Sequence, residues 1–306
     1  MPRDITISKS GYDPTDLDVG AYIARMCGKG HRVFNDLPLL QVQGIDLPRG
    51  SYLKTRGAGS FTSPDQPTED VGLRTSGGDS TLDIKVRDLR GNDDRADARF
   101  IHNTGDRNTI SIDGAGIGVG GYALIDQAST AEYAVYPKLK LADCDNRTKG
   151  FRVTGPRGGS IPFIEFGSVF TSGAMFLLDP EPGRIGLVKM RRLTVTGTQE
   201  TGDDSSVNGC KAEHVERWEI DEFVCAMPLD KERHFGMRFG NGVGDVLIKR
   251  ANVTHPFGAL VAGGLRRLTV ETLESDHLND IGGASPWFVH HDRAAKVEAH
   301  AKRLKV

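Results

Sequence analysis

No run of apolar residues in this 306-residue chain approaches the ~20 needed to cross a bilayer as a helix, so no membrane span is expected. Aromatic residues are scarce at 7%, which leaves few rings to stack on a sugar or a base. Charge of one sign is missing too. The 39 Lys and Arg are interspersed with 41 Asp and Glu for a net charge of −2, which argues against a nucleic-acid-binding surface. Cys27, Cys144, Cys210 and Cys225 lack close-paired metal spacing, so free thiols are expected, with no disulfide framework and no metal cluster. Met1-Pro2-Arg3-Asp4 opens on a polar segment, and a chain without an export signal is expected from it.

What is present is glycine, 38 of them, arranged in a recurring phrase of Gly-apolar-x-apolar. The copies start at Gly121, Gly150, Gly173, Gly209, Gly236 and Gly258. Short period-two patterns recur beside them, as in Leu82/Ile84/Val86, Ile110/Ile112, Leu139/Leu141, Leu193/Val195 and Leu268/Val270. Taking one inward residue per repeat gives Leu53, Ile84, Ile110, Leu139, Ile164, Leu193, Ile220, Ile248 and Leu268, spaced 20 to 31 residues apart. So irregular a period argues against helix-pair solenoids and suits short strands joined by loops of variable length. Each repeat has too little apolar surface to fold alone, whereas stacked repeats bury a continuous interior. The alternative, a β-sandwich, seldom carries one repeated phrase. The expectation is an all-β, single-stranded parallel β-helix of about nine rungs.

The segment Gly44-Ile45-Asp46-Leu47-Pro48-Arg49-Gly50-Ser51-Tyr52-Leu53-Lys54-Thr55-Arg56-Gly57-Ala58-Gly59 resembles the start of the pectate-lyase-like right-handed β-helix superfamily, which includes many bacteriophage tailspikes. The resemblance is one of fold and spans about Asp16 to His277. It implies a right-handed coil, a capping helix over Asp16–Met26 with Val19, Ile23 and Met26 on one face, and a virion or extracellular protein. It also implies polysaccharide as the partner, side-by-side homo-oligomers with a trimer as one form, and contacts with other virion proteins. Arg293–Val306 reads as a second helix, with a flexible tail as the alternative. The expected layout is a capping segment over 1–40, the β-helix over 41–290 and a C-terminal helix or tail over 291–306.

On a β-helix, outward residues of successive strands form a ladder on which ligands lie. The aligned outward positions are Lys85, Ser111, Lys140, Glu165, Thr194, Glu219, Leu247 or Lys249, and Thr269. Glu165 and Glu219 fall two rungs apart, with backbones roughly 10 Å apart. That separation suits the acid and base of an inverting glycosidase, with Asp221 beside Glu219 as a third carboxylate. The alternative is solvated surface, with Lys140 and Arg192 as ion-pair partners. Lys140, Thr194 and Trp218 are candidate substrate contacts, and Tyr133, Tyr136 and Trp287 are further aromatics expected at the surface. Asp203-Asp204 resembles the paired aspartates of polygalacturonase-type hydrolases. That family's Asn-Thr-Asp, Gly-His-Gly and Arg-x-Lys patterns are missing, so the pair is carried only as a substrate-binding candidate beside plain turn chemistry. His255, Asp276 and His277 occupy equivalent ends of successive rungs and are candidate binding or acid–base groups. No cofactor is expected, and the one candidate cation is calcium at Asp143, Asp145 and Asn146. The function expected is binding, with cleavage as a candidate activity, of a cell-surface polysaccharide. The alternatives are a non-catalytic virion decoration or fibre protein, and a secreted lyase or epimerase.

Overall fold

The computed structural model describes residues 1–64, 71–89, 99–117, 123–128, 133–144, 149–154, 160–172, 175–178, 183–196, 207–226, 234–254, 260–262, 265–275, 289–291, 299–301 and 304–305. About 65% of the described residues are strand and 7% helix, an all-β composition. The chain winds between two parallel sheets, one of 15 strands and one of 10. Long strands of the first sheet alternate in sequence with shorter strands of the second. Ala123–Ala128, for example, falls between Asn108–Ile117 and Tyr133–Cys144. Each strand pairs with its equivalent one coil away, as the stacked-coil expectation requires.

The long strands follow one burial rhythm. In Val215–Cys225 the buried residues are Val215, Trp218, Ile220, Phe223 and Cys225, so inward steps run three, two, three, two. Ile161/Ile164/Phe166/Val169/Thr171 and Val243/Val246/Ile248/Ala251/Val253 repeat it. A straight strand places every second side chain on one face. A three-residue step therefore requires the backbone to bend, and each pair of successive outward residues marks a corner of the coil. Corners bring rungs close: a Cβ on Gly167 or Gly244 would overlap the carbonyl oxygen of Pro137 or Glu216 on the preceding rung.

The interior is mostly aliphatic and aromatic, with Tyr136, Phe151 and Phe166 in mutual ring contact at 5.0 to 5.3 Å between centroids. A polar pocket sits within it. The Tyr136 hydroxyl donates to Gln127 Oε1, and Asn103 Nδ2 donates to the same oxygen at 2.7 Å. Asn108 and Thr75 donate to Asn103 Oδ1, each at 2.7 Å, so these buried groups satisfy one another. At the N-terminal end the helix Val19–Gly28 buries Val19, Ile23 and Cys27 against the first coils. Cys27, Cys210 and Cys225 are buried and form no disulfide, and burial pushes the thiols of Cys27 and Cys210 above their ordinary range.

Several sequence expectations need correction. The regular coil makes about six turns, not nine. Strands of 10 to 12 residues extend from Asn108–Ile117 to Leu265–Ser275, whereas Leu53 and Ile84 lie on shorter strands of 4 and 7 residues. The Gly-led phrases at Gly150, Gly209 and Gly236 belong to one ladder, through Phe151, Cys210 and Met237. In the other three copies the aligned place falls to Ile125, Phe176 and Leu260, because loops of unequal length shift the phrase. The C-terminal segment carries strand, not the expected helix, at Ala299–Ala301 and Leu304–Lys305. Both pair with Leu265–Ser275, whose outer edge offers unpaired backbone groups.

Candidate functional site

Between its two corners each long strand presents a single outward residue. Register stacks Val135, Glu165, Lys189, Glu219, Leu247 and Thr269 into one column. Beside it, at the first position of the next corner, run Pro137, Gly167, Arg191, Asp221 and Lys249. The two columns enclose a groove of about 560 Å³. Glycine at 167 leaves its floor as bare backbone, and long charged side chains from the flanking rungs form its walls.

Three carboxylates line the groove, each with a partner. Asp221 Oδ1 lies 2.7 Å from Lys249 Nζ, and Glu219 Oε1 lies 2.6 Å from the Arg217 guanidinium. Glu165 Oε2 accepts from the Tyr133 hydroxyl at 3.3 Å. Burial, and then the Glu165 charge, push the Tyr133 phenol above its ordinary range, which keeps it a donor. The hydrogen bond to Asp221 and the charge of that carboxylate raise Lys249 in turn. Tyr133 stacks on Phe163 with ring centroids 5.1 Å apart and planes 6° from parallel, a small apolar shelf at the groove's edge. Lys189 is the cross-strand neighbour of both Glu165 and Glu219. Neither Lys189 nor Arg191 has an ion-pair partner among the described residues.

Glu165, Glu219 and Asp221, singled out from sequence, thus share one concavity. Lys140 and Thr194 do not join them. Their column is Lys140, Phe170 and Thr194, five positions further along the strand, because the three-residue corner step shifted the assumed register. The partners expected for the glutamates go elsewhere: Lys140 lies 3.7 Å from Asp113 and Arg192 lies 3.4 Å from Glu222. Trp218 is no substrate contact. It is fully buried, edge-on to Phe239 at 6.2 Å, and Tyr136 is buried as well. Asp203, Asp204, His255, Asp276, His277 and Trp287 lie outside the described residues, as do the calcium candidates Asp145 and Asn146. Sequence reasoning missed Lys189 and Arg191. The available signal was the three-two step through Ile185, Val188, Met190 and Leu193, which places both residues outward.

A second charged cluster occupies the shorter-strand sheet. Asp126 is fully buried, its Oδ2 2.5 Å from Arg99 and 4.0 Å from His102 Nε2, with Arg152 Nε 3.5 Å from Oδ1. Among the described residues no group of three His, Cys, Asp or Glu side chains is placed to hold a metal ion. No described helix is long and apolar enough to cross a membrane. Comparison of the chain with protein-family models, curated proteins and solved structures gave no match.

Proposed function

We propose that the groove over Gly167 binds a polysaccharide and hydrolyses it, with Glu165 and Glu219 as the acid–base pair. The observation that supports this is the convergence of both glutamates, two rungs apart, on one concave site. Their backbones stand roughly 10 Å apart on strand spacing, leaving room for a glycosidic oxygen and an attacking water between the carboxyl groups. One carboxyl protonates the leaving oxygen while the other takes a proton from the water, inverting the anomeric centre. Asp221, tied to Lys249, shapes the far wall. In this reading the protein acts outside a cell or on a virion, as a tailspike-like column associated with copies of itself.

A second reading, a non-catalytic display or fibre protein, has its own support. Asp221 is ion-paired to Lys249 on the next rung as a strut would be, Glu219 is paired along its own strand with Arg217, and the large aromatics Trp218 and Tyr136 are turned inward. An activity screen on bacterial surface polysaccharides separates the two. Wild type should release oligosaccharides of inverted configuration, while Glu165→Gln and Glu219→Gln should each lose about 100-fold or more in rate yet still bind. Equal product from all three proteins would discard this pair, and binding without product from any would favour the display protein.

A further inference from the structure

The groove's lining carries three carboxylates, Glu165, Glu219 and Asp221, and three cations, Lys189, Arg191 and Lys249, but they are not paired one to one. Asp221 is matched by Lys249 and Glu219 by Arg217, while Glu165 accepts only from a neutral phenol. Two cations remain, Lys189 and Arg191, neither ion-paired among the described residues. They flank the inward, buried Met190 on one strand, so both side chains leave from the same outer face roughly 7 Å apart. Both line the cavity, and both are exposed. Lys189 faces Glu165 on one neighbouring rung and Glu219 on the other, and with Glu219 matched by Arg217 the two unmatched cations exceed the one unmatched carboxylate by a single charge. A guanidinium offers a planar fork to a two-oxygen acceptor, and the ammonium beside it adds a mobile third donor. With Glu165 the one unmatched carboxylate beside two unmatched cations, a neutral chain would leave one positive charge unanswered in the filled groove, whereas an acidic substituent would supply its counter-charge.

We propose that Lys189 and Arg191 form an anion-binding subsite, so that the glycan taken by this groove carries a carboxylate or sulfate ester on the sugar seated between Glu165 and Glu219. This rests on the groove being a polysaccharide site. The anionic group is held by two charge-assisted contacts and the rest of the ring by the Tyr133–Phe163 shelf. Because the subsite is solvent-exposed, binding weakens as salt rises.

Three polymers with one backbone test it: dextran, carboxymethyl-dextran and dextran sulfate, assayed by affinity electrophoresis with the full-length protein. Wild type should be retarded by a charged dextran and not by plain dextran, and the stronger of the two charged polymers identifies the acid. Lys189→Gln with Arg191→Gln should weaken that retardation at least about tenfold, the loss expected for two charge-assisted contacts. Lys138→Gln with Lys140→Gln removes the same charge from the same sheet outside the groove and should cost less than about twofold. Equal loss in both double variants, or no retardation of wild type by either charged polymer, overturns the subsite. Groove-dependent cleavage of an uncharged glycan would sink the subsite and leave the polysaccharide reading standing. Retardation by charged dextran that no polysaccharide from the activity screen competes away would do the reverse.

Discussion

Two concentrations of charge among the described residues stand on different walls of the coil, and they differ in burial. Around Asp126 a carboxylate with no solvent exposure is ringed by Arg99, Arg152 and His102. Around Gly167 the carboxylates are half-buried or exposed and the neighbouring cations outnumber the anions they neutralise. Burial makes an uncompensated charge very expensive, so the Asp126 carboxylate is held against two guanidinium groups. Water screens the charges around Gly167, so the groove tolerates an imbalance that a ligand can answer. The difference separates charge that holds the coil together from charge that is available to a partner.

Breaking the buried cluster should have the largest effect. Asp126→Asn leaves guanidinium groups beside a neutral amide in a dry site, and unfolding free energy should fall by about 3 kcal/mol. Urea titration measures it, and a loss under ~1 kcal/mol would mean that water reaches this carboxylate. A smaller effect, confined to mild acid, is expected from His102. Burial, and secondarily the Arg99 charge, hold its imidazole below the ordinary value of 6.5. As pH falls through that value the unfolded chain takes up a proton that the folded chain refuses. The stabilisation is therefore complete above about 6.5 and drains away below it. His102→Gln should flatten the difference in stability between about pH 7.5 and about pH 5.5; an unchanged slope would show that another group titrates. The smallest effect belongs to the groove. Lys249→Gln breaks an ion pair whose members are 54% and 51% exposed, and the urea midpoint should not move measurably. A clear drop would make that pair a structural strut and erase the contrast between the walls.

The stacked coil was legible because pairs such as Leu82/Ile84 and Leu193/Val195 alternate cleanly and recur. What the sequence hid was phase. Ile164 and Leu193 both look like the inward residue of a rung, yet Ile164 pairs with Val188 and Leu193 with Val169. Every long strand carries several inward residues separated by unequal steps, so one apolar anchor per repeat cannot identify the column. Glu165 and Glu219 were correctly grouped because their neighbours Ile164 and Trp218 stand on the same inward column. Lys140 and Thr194 follow Leu139 and Leu193 on a different inward column, which takes them away from the glutamates. The chemistry of Trp218 suggests a surface ring, but its place in the strand does not. Its position three residues after Val215 and two before Ile220 marks it as interior.

Gly167 sets a boundary on how this surface can change. A side chain there meets a neighbouring carbonyl before it reaches open space, so the bottom of the hollow is fixed by how the coils are wound. The flanks are under no such restriction: residues 189, 191 and 221 project into solvent from a framework that does not depend on them. Selection or design acting on this scaffold would therefore rewrite ligand preference along the rim, one exposed side chain at a time, while the depth of the hollow is inherited unchanged.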